Sequence, residues 1–132
     1  MKKLFLLAVL CGLLSCSDDD TNSTTTSKEF HPPAWTHGTW IYNAGGQEMG
    51  LKFSADNVCT VTNSTAICYK ESLALYEGTQ AQTSVTEDIS ETVYDVTINI
   101  SGAINSYHIE KVSPTQINWV INSSSTATLT KQ

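Results

Sequence analysis

From Trp35 to the C-terminus, apolar and polar residues alternate with a period of two, which restricts the chain to half-buried β-strands. Met49, Leu51 and Phe53 alternate with Glu48, Gly50, Lys52 and Ser54. Tyr94, Val96, Ile98 and Ile100 alternate with Asp95, Thr97, Asn99 and Ser101, and Ile117, Trp119 and Ile121 with Gln116, Asn118 and Asn122. Successive side chains of a strand point to opposite faces, so each run buries one face and wets the other. The pattern predicts strands at 38–43, 48–54, 57–62, 66–71, 82–89, 92–101, 104–112, 115–121 and 126–131. Turn formers separate most of them: Ala44-Gly45-Gly46, Asp56-Asn57, Asn63-Ser64, Gly102 and Ser113-Pro114. Residues 72–81 carry no clear pattern and read as strand, loop or helical turn. Ser and Thr are abundant, and helix formers never cluster at helical spacing after residue 30. The fold class is therefore all-β. About eight short antiparallel strands on short turns imply a small meander barrel, since closure removes the edges that a Thr-rich sheet would expose.

Ahead of the strands, Lys2 and Lys3 precede an apolar run from Leu4 to Leu14, which has the form of a secretory signal and is too short to span a bilayer. The run closes on Leu13-Leu14-Ser15-Cys16, which resembles the lipobox of bacterial lipoproteins. In that family the cysteine thiol is diacylated, the chain is cut just before it, and the new amine is acylated. The resemblance implies a signal peptide over residues 1–15, loss of Cys11, and lipid attachment at Cys16. An ordinary secretory signal with an incidental Cys16 is the alternative. Acyl chains worth about 0.8 kcal/mol per buried CH₂ make a durable anchor when there are two or three of them. Ser17 stands where an Asp would retain such a protein in the inner membrane, so the outer membrane is expected. Asp18-Asp19-Asp20 resembles the acidic export signal of surface-exposed lipoproteins of the Bacteroidota. A periplasmic face is the alternative to the cell surface. Residues 16–34 are polar and rich in Ser, Thr and Asp, and are expected to form a disordered tether ahead of a barrel domain at 35–132.

Charge narrows the partners. The chain has seven Lys, no Arg and a net charge of −6, which excludes a nucleic-acid partner in need of basic patches and guanidinium forks. Cutting before Cys16 removes Lys2 and Lys3 and no acids, which takes the net charge to −8. Anionic lipid would repel such a body, leaving only the acyl group to hold it to a membrane.

Cys59 and Cys68 remain. A two-residue turn at Asn63-Ser64 sets Thr62 opposite Thr65 and Cys59 opposite Cys68. Counted from the turn, that last pair is a non-hydrogen-bonded one, with Cα atoms near 4.5 Å, within reach of a disulfide. An oxidising envelope permits the bond. Two buried free thiols or half of a metal site are the alternatives, but no Cys or His lies nearby in sequence to complete a metal shell.

Gly38-Thr39-Trp40, at the start of the first predicted strand, resembles the Gly-x-Trp motif of lipocalins and other calycin barrels, where the tryptophan plugs the closed end. Phe30-His31-Pro32-Pro33-Ala34-Trp35, the Trp119 strand and the Leu129-Thr130-Lys131-Gln132 ending are similar to small lipocalin-like lipoproteins of Bacteroidota, over about residues 30–132. The resemblance implies that Gly38 and Trp40 play those two roles. The chain has no Arg to cap Trp40 and no Thr-Asp-Tyr near the sixth or seventh strand. In so short a body, an open cup and a filled barrel are both open outcomes.

No catalytic constellation stands out, and no cofactor or metal is expected. His31 and His37 flank the first strand at a spacing that is not a ligand pattern, and His108 alternates with Tyr107 and Ile109 and so faces outward. No Gly-x-Ser-x-Gly stretch marks a nucleophile. Glu87, Asp88 and Glu91 read as a solvated acidic corner rather than paired catalytic carboxylates. Trp40, Tyr42, Phe53, Tyr94, Tyr107 and Trp119 fall on apolar faces, as core first and ligand lining second. Two binding functions follow, neither of them enzymatic. One is an outer-membrane-anchored, lipocalin-like lipoprotein holding a small apolar or amphipathic molecule among those six aromatics. The other is a filled-barrel module whose acidic loops engage a basic protein partner. For the latter, Ser101-Gly102-Ala103 resembles the inhibitory loop of small barrel lipoproteins that inhibit lysozyme, with Asn105 where an aromatic is expected.

Overall fold

The computed structural model describes residues 23–132, with side chains from Thr26 onward; the expected signal peptide and Cys16 lie outside them. The strands are β1 (Ser23–Ser27), β2 (Gly38–Ala44), β3 (Gln47–Ser54), β4 (Asn57–Thr62), β5 (Thr65–Cys68), β6 (Thr83–Ile89), β7 (Val93–Ile100), β8 (Ala103–Ser113), β9 (Gln116–Asn122) and β10 (Ser125–Lys131). One short helix, α1 (Tyr69–Ala74), separates β5 from β6. All ten strands join one antiparallel sheet in the order β1-β6-β7-β8-β9-β10-β2-β3-β4-β5. Two meanders, β2 to β5 and β6 to β10, are thus joined where β10 comes round to β2 through Thr130↔Ile41 and Lys131↔Trp40. The fold is all-β and barrel-like, as the alternation predicts. Among the described residues, no helix is long and apolar enough to cross a membrane.

Two features depart from the expected barrel. The sheet has ten strands rather than about eight, and it curls without closing: β1 and β5 end the strand order without pairing with each other. The strand predicted to run to residue 71 stops at Cys68, because Tyr-Lys-Glu-Ser-Leu-Ala is better suited to a helical turn and carries Glu71 in its first turn. The edge that would have met β6 is therefore lost, and a seam opens beside α1. The expected tether also shortens. Ser23–Ser27 pairs along β6, from Ser23↔Ile89 to Ser27↔Val85, and Phe30 is buried. Residues 23–34 thus belong to the folded body. A Ser/Thr segment is competent to pair, and the open edge of β6 supplies the partner.

Tight hairpins set the register. Asn63 and Ser64 (φ 46 and 67), Gly45 and Gly46 (60 and 87), and Ser101 and Gly102 (52 and 91) carry the paired positive φ of two-residue turns. The first of these aligns Cys59 with Cys68, whose Cα atoms are 4.0 Å apart and whose sulfurs are bonded.

The concave face is filled. Trp40, Leu51, Phe53, Tyr94, Ile98, Ile109, Ile117 and Leu129 are each 2% exposed or less. Phe53 and Tyr94 meet edge to face with centroids 5.9 Å apart. Gly50 lets β2 and β3 close around Trp40, since a Cβ there would lie 1.9 Å from the Trp40 carbonyl oxygen. A 3-10 turn at Ala34–Thr36 closes one end of the barrel: Trp40 Nε1 donates to the Thr36 carbonyl at 2.5 Å, and Trp35 Nε1 to the Ser90 carbonyl at 3.1 Å.

Candidate functional site

The six aromatics expected to line a ligand are spread between the core and its margin. Trp40, Phe53 and Tyr94 make the solid centre. Tyr107 is buried beyond them, with Tyr42 and Trp119 half-buried beside the core. The Tyr107 ring lies 5.7 Å from Trp119 and 5.9 Å from Tyr69, and the Tyr69 and Tyr107 hydroxyls are 2.6 Å apart. The Tyr42 hydroxyl donates to the Met49 sulfur at 3.7 Å. None of the three cavities described in the molecule touches any of the six. Four of the six belong to the core cluster and the other two pack against it, so among the described residues they act as filling.

The largest of these cavities lies in the seam, between the segment 28–31 and α1. It measures about 490 Å³, within the usual range of small-molecule sites. Phe30, Leu73, Ala55 and Ala74 supply its apolar surface, and Lys28, Glu29, His31, Asp56, Lys70 and Glu77 its charged rim.

Both walls are held by specific contacts. A six-residue helix is marginal alone, so α1 depends on its neighbours. Leu73 packs into the core. The Asn57 side-chain oxygen accepts from the Val58 and Lys70 backbone N–H groups, both at 2.9 Å, and its amide donates to the Glu71 carboxylate at 2.8 Å. One orphan donor of the helix start is thereby satisfied. Lys70 pairs with Asp56 across the rim. The hydrogen bond to Lys70 holds the Asp56 carboxyl below its ordinary value, and the same bond raises Lys70.

On the opposite wall, Glu87 fixes His31. The His31 backbone N–H donates to both Glu87 oxygens at 2.8 and 3.1 Å, and His31 Nδ1 lies 3.0 Å from Oε2. The Tyr94 hydroxyl donates to Glu87 at 2.6 Å. Burial, and then the Glu87 carboxylate, push that hydroxyl far above the ordinary phenol range. Glu87 is 1% exposed, which corrects its reading as part of a solvated corner. Its pairing with Val96 puts it on the concave face, where three donor groups compensate its burial. Asp88, one position along, takes the other face.

The remaining histidines have local roles. His37 Nε2 lies 2.9 Å from the Pro32 carbonyl oxygen. His108 faces outward, with Nδ1 2.5 Å from Asp95 and Nε2 3.4 Å from Glu110. Burial works against its charged form, but the hydrogen bond and charge of Asp95, then of Glu110, outweigh it and hold His108 above the ordinary imidazole value. Among the described residues, no three His, Cys, Asp or Glu side chains are placed to hold a metal ion.

Lys28, Phe30 and Leu73, which shape the seam, escape a reading based on alternation. Phe30 is a lone large apolar residue in a polar stretch, and Leu73 stands with Leu75 and Tyr76 in a stretch without pattern, so neither carries a periodic signal. Comparison with known proteins found no family model, no curated protein and no solved structure that matches the chain.

Proposed function

We propose that this chain is an outer-membrane lipoprotein, acylated at Cys16 and lipocalin-like in design, that binds a small amphipathic molecule without transforming it. The site proposed is the seam cavity, not the barrel centre. The observation that carries this reading is the cavity itself: about 490 Å³ of space with an apolar floor and a charged rim, beside a solid core. Gly38, with its φ of +127°, and Trp40 at the closed end support the lipocalin-like part. Ser23 pairs with Ile89 next to that closed end and lies seven residues after Cys16, a span of at most about 25 Å. An acyl group on Cys16 would therefore keep the closed end towards the lipid.

Two experiments test this. In fractionated cells, Cys16→Ser releases the protein from the membrane pellet; unchanged pelleting refutes the anchor. A thermal-shift screen of single-chain amphiphiles gives stabilisation that Ala74→Trp, which fills the cavity from an exposed helix position, abolishes. A protein indifferent to every amphiphile in the screen sinks the binding reading.

A second reading has its own support. Asp88, Asp95 and Glu110 sit on neighbouring strands around His108 on the outer face, and the centre is filled. A basic protein partner would bind there, with affinity falling steeply as salt rises. Titration against a basic lysozyme at two ionic strengths decides it: no salt-sensitive binding and no inhibition removes this reading.

A further inference from the structure

We infer that the seam selects an anionic amphiphile with an uncharged, hydroxylated head, and that Lys28 is the residue that selects it. The inference rests on the seam as the binding site and adds the chemistry of its ligand.

A second cavity of about 410 Å³ is lined by Lys28, Ala81, Gln82, Thr83, Ser84 and Asn99. It shares Lys28 and Thr83 with the seam cavity, so the two adjoin. Their linings differ in kind. One side offers Phe30, Leu73, Ala55 and Ala74 to a hydrocarbon tail. The other offers amides and hydroxyls and, Lys28 apart, no charge. Such groups match a polyol, whose hydroxyls both donate and accept.

Charge fixes the direction. Lys70 is engaged by Asp56, and the Glu29 carboxylate lies 3.9 Å from His31. Lys28 makes no ion pair among the described residues and stands at the junction of the two compartments. Glu77 lines only the apolar compartment's rim, where the Lys70–Asp56 pair carries no net charge, and would repel an anion placed there. A ligand therefore lies with its tail on Phe30 and Leu73, its anionic group at Lys28, and its polar head along Gln82, Ser84 and Asn99. The ligand is a free molecule rather than a bilayer, because the body's excess of acids disfavours an anionic membrane surface.

The test uses the full chain carrying Cys16→Ser, titrated by calorimetry with three lauroyl probes below their micelle concentrations. Lauroyl lysophosphatidylglycerol has the anion and the polyol; lauroyl lysophosphatidylcholine adds a cation; monolauroylglycerol lacks the anion. The first is expected to bind about tenfold more tightly than the other two, as a charge-assisted contact implies. Lys28→Gln removes that advantage and leaves monolauroylglycerol unchanged, and Ala74→Trp abolishes all three. Equal binding of the three probes, still lost in Ala74→Trp, overturns the role of Lys28 but not the seam. Absence of binding, or binding indifferent to Ala74→Trp, overturns the seam reading itself. Binding to phosphatidylglycerol vesicles but not to monomeric lysolipid also overturns the inference.

Discussion

The Lys131 ammonium lies 5.1 Å from the centroid of the Trp40 ring. Its stem crosses Gly38 so closely that a Cβ on that glycine would sit 2.6 Å from Lys131 Cε. The chain has no arginine, and a lysine near its C-terminus, paired in register with Trp40, covers the tryptophan instead. Lys131→Met keeps the stem and removes the charge. It is expected to cost about 0.5–1 kcal/mol in urea unfolding, the range of a partly exposed cation–π contact. Gly38→Ala should cost more, about 1–3 kcal/mol, because its φ of +127° strains any side chain. A neutral Lys131→Met would mean that the ammonium merely rests on the ring.

Of the glycines described, Gly50 leaves the least room for a side chain. An added methyl would overlap the Trp40 carbonyl oxygen and reach within 2.9 Å of Ile41 Cδ1. The first of these is backbone and cannot rotate away, so β2 and β3 must separate over the buried Trp40. Gly50→Ala is expected to destabilise by about 2–4 kcal/mol, at or beyond the usual overpacking range. Denaturant unfolding followed by tryptophan fluorescence measures it, and a loss under about 0.5 kcal/mol contradicts the close approach.

The sheet was legible in the sequence because burial on one face writes itself as alternation. Tyr94, Val96 and Ile98 are buried at the positions that their pattern assigns, and the Asn63-Ser64 turn fixed the Cys59–Cys68 pairing by counting alone. Three features left no such trace. β1 is a run of Ser and Thr whose pairing is dictated by the vacant edge of β6, a tertiary fact. Glu87 looks solvated in sequence because its main compensating donor, His31, is 56 residues away, and alternation alone does not aim the Tyr94 hydroxyl across the β6–β7 hairpin at it. The seam exists because a strand ends one turn early, at Cys68, and boundaries are the least certain part of any pattern. The aromatics were rightly placed on apolar faces, but periodicity cannot distinguish the wall of a cup from the filling of a barrel.

Alkali should unfold this protein by a definite route. Tyr94 is raised by burial and then by Glu87, and Tyr107 by burial and then by its bond to the Tyr69 hydroxyl. In the unfolded chain both ionise near pH 10. The folded state thus holds more protons above that pH, and stability is complete below about pH 10 and falls as pH rises beyond it. Urea midpoints are expected to be flat between about pH 8 and 9.5 and to drop steeply from about pH 10 to 12. Tyr94→Phe should flatten that drop, while losing stability at neutral pH because a donor to buried Glu87 is gone. An unchanged alkaline limb in the variant contradicts the assignment.

His108 offers an independent titration on the outer face. Asp95 and Glu110 raise it against the opposing effect of burial, so its NMR midpoint should lie above the ordinary imidazole value of about 6.5. A raised folded value means stabilisation that is complete below the unfolded value and lost as pH rises through the folded one. Asp95→Asn should therefore lower the His108 midpoint, and its stability deficit should be larger at about pH 5.5 than at about pH 8.5. A deficit independent of pH would show that Asp95 acts through packing alone.

The seam wall itself can be loosened in graded steps. The Cys59–Cys68 bond fixes the residue from which α1 starts, and Asn57 satisfies its first exposed donor. The bond joins positions nine apart, so its loss in the Cys59→Ser, Cys68→Ser double variant should cost about 2–3 kcal/mol by loop-closure arithmetic. Asn57→Ala leaves the disulfide intact but strands the Lys70 N–H and the buried Val58 N–H, and should cost about 1–3 kcal/mol. Global stability alone would not separate these effects from general damage, but hydrogen exchange does. Amides of residues 70–74 should lose protection in Asn57→Ala while those of β7 and β8 keep theirs, because Asn57 ties α1 to β4 and to neither of those strands. If the helix stays protected, Leu73 and Tyr69 anchor it without Asn57, and the amphiphile-induced thermal shift should survive. If protection is lost and the shift persists undiminished, α1 is no wall of the binding site and the ligand lies elsewhere.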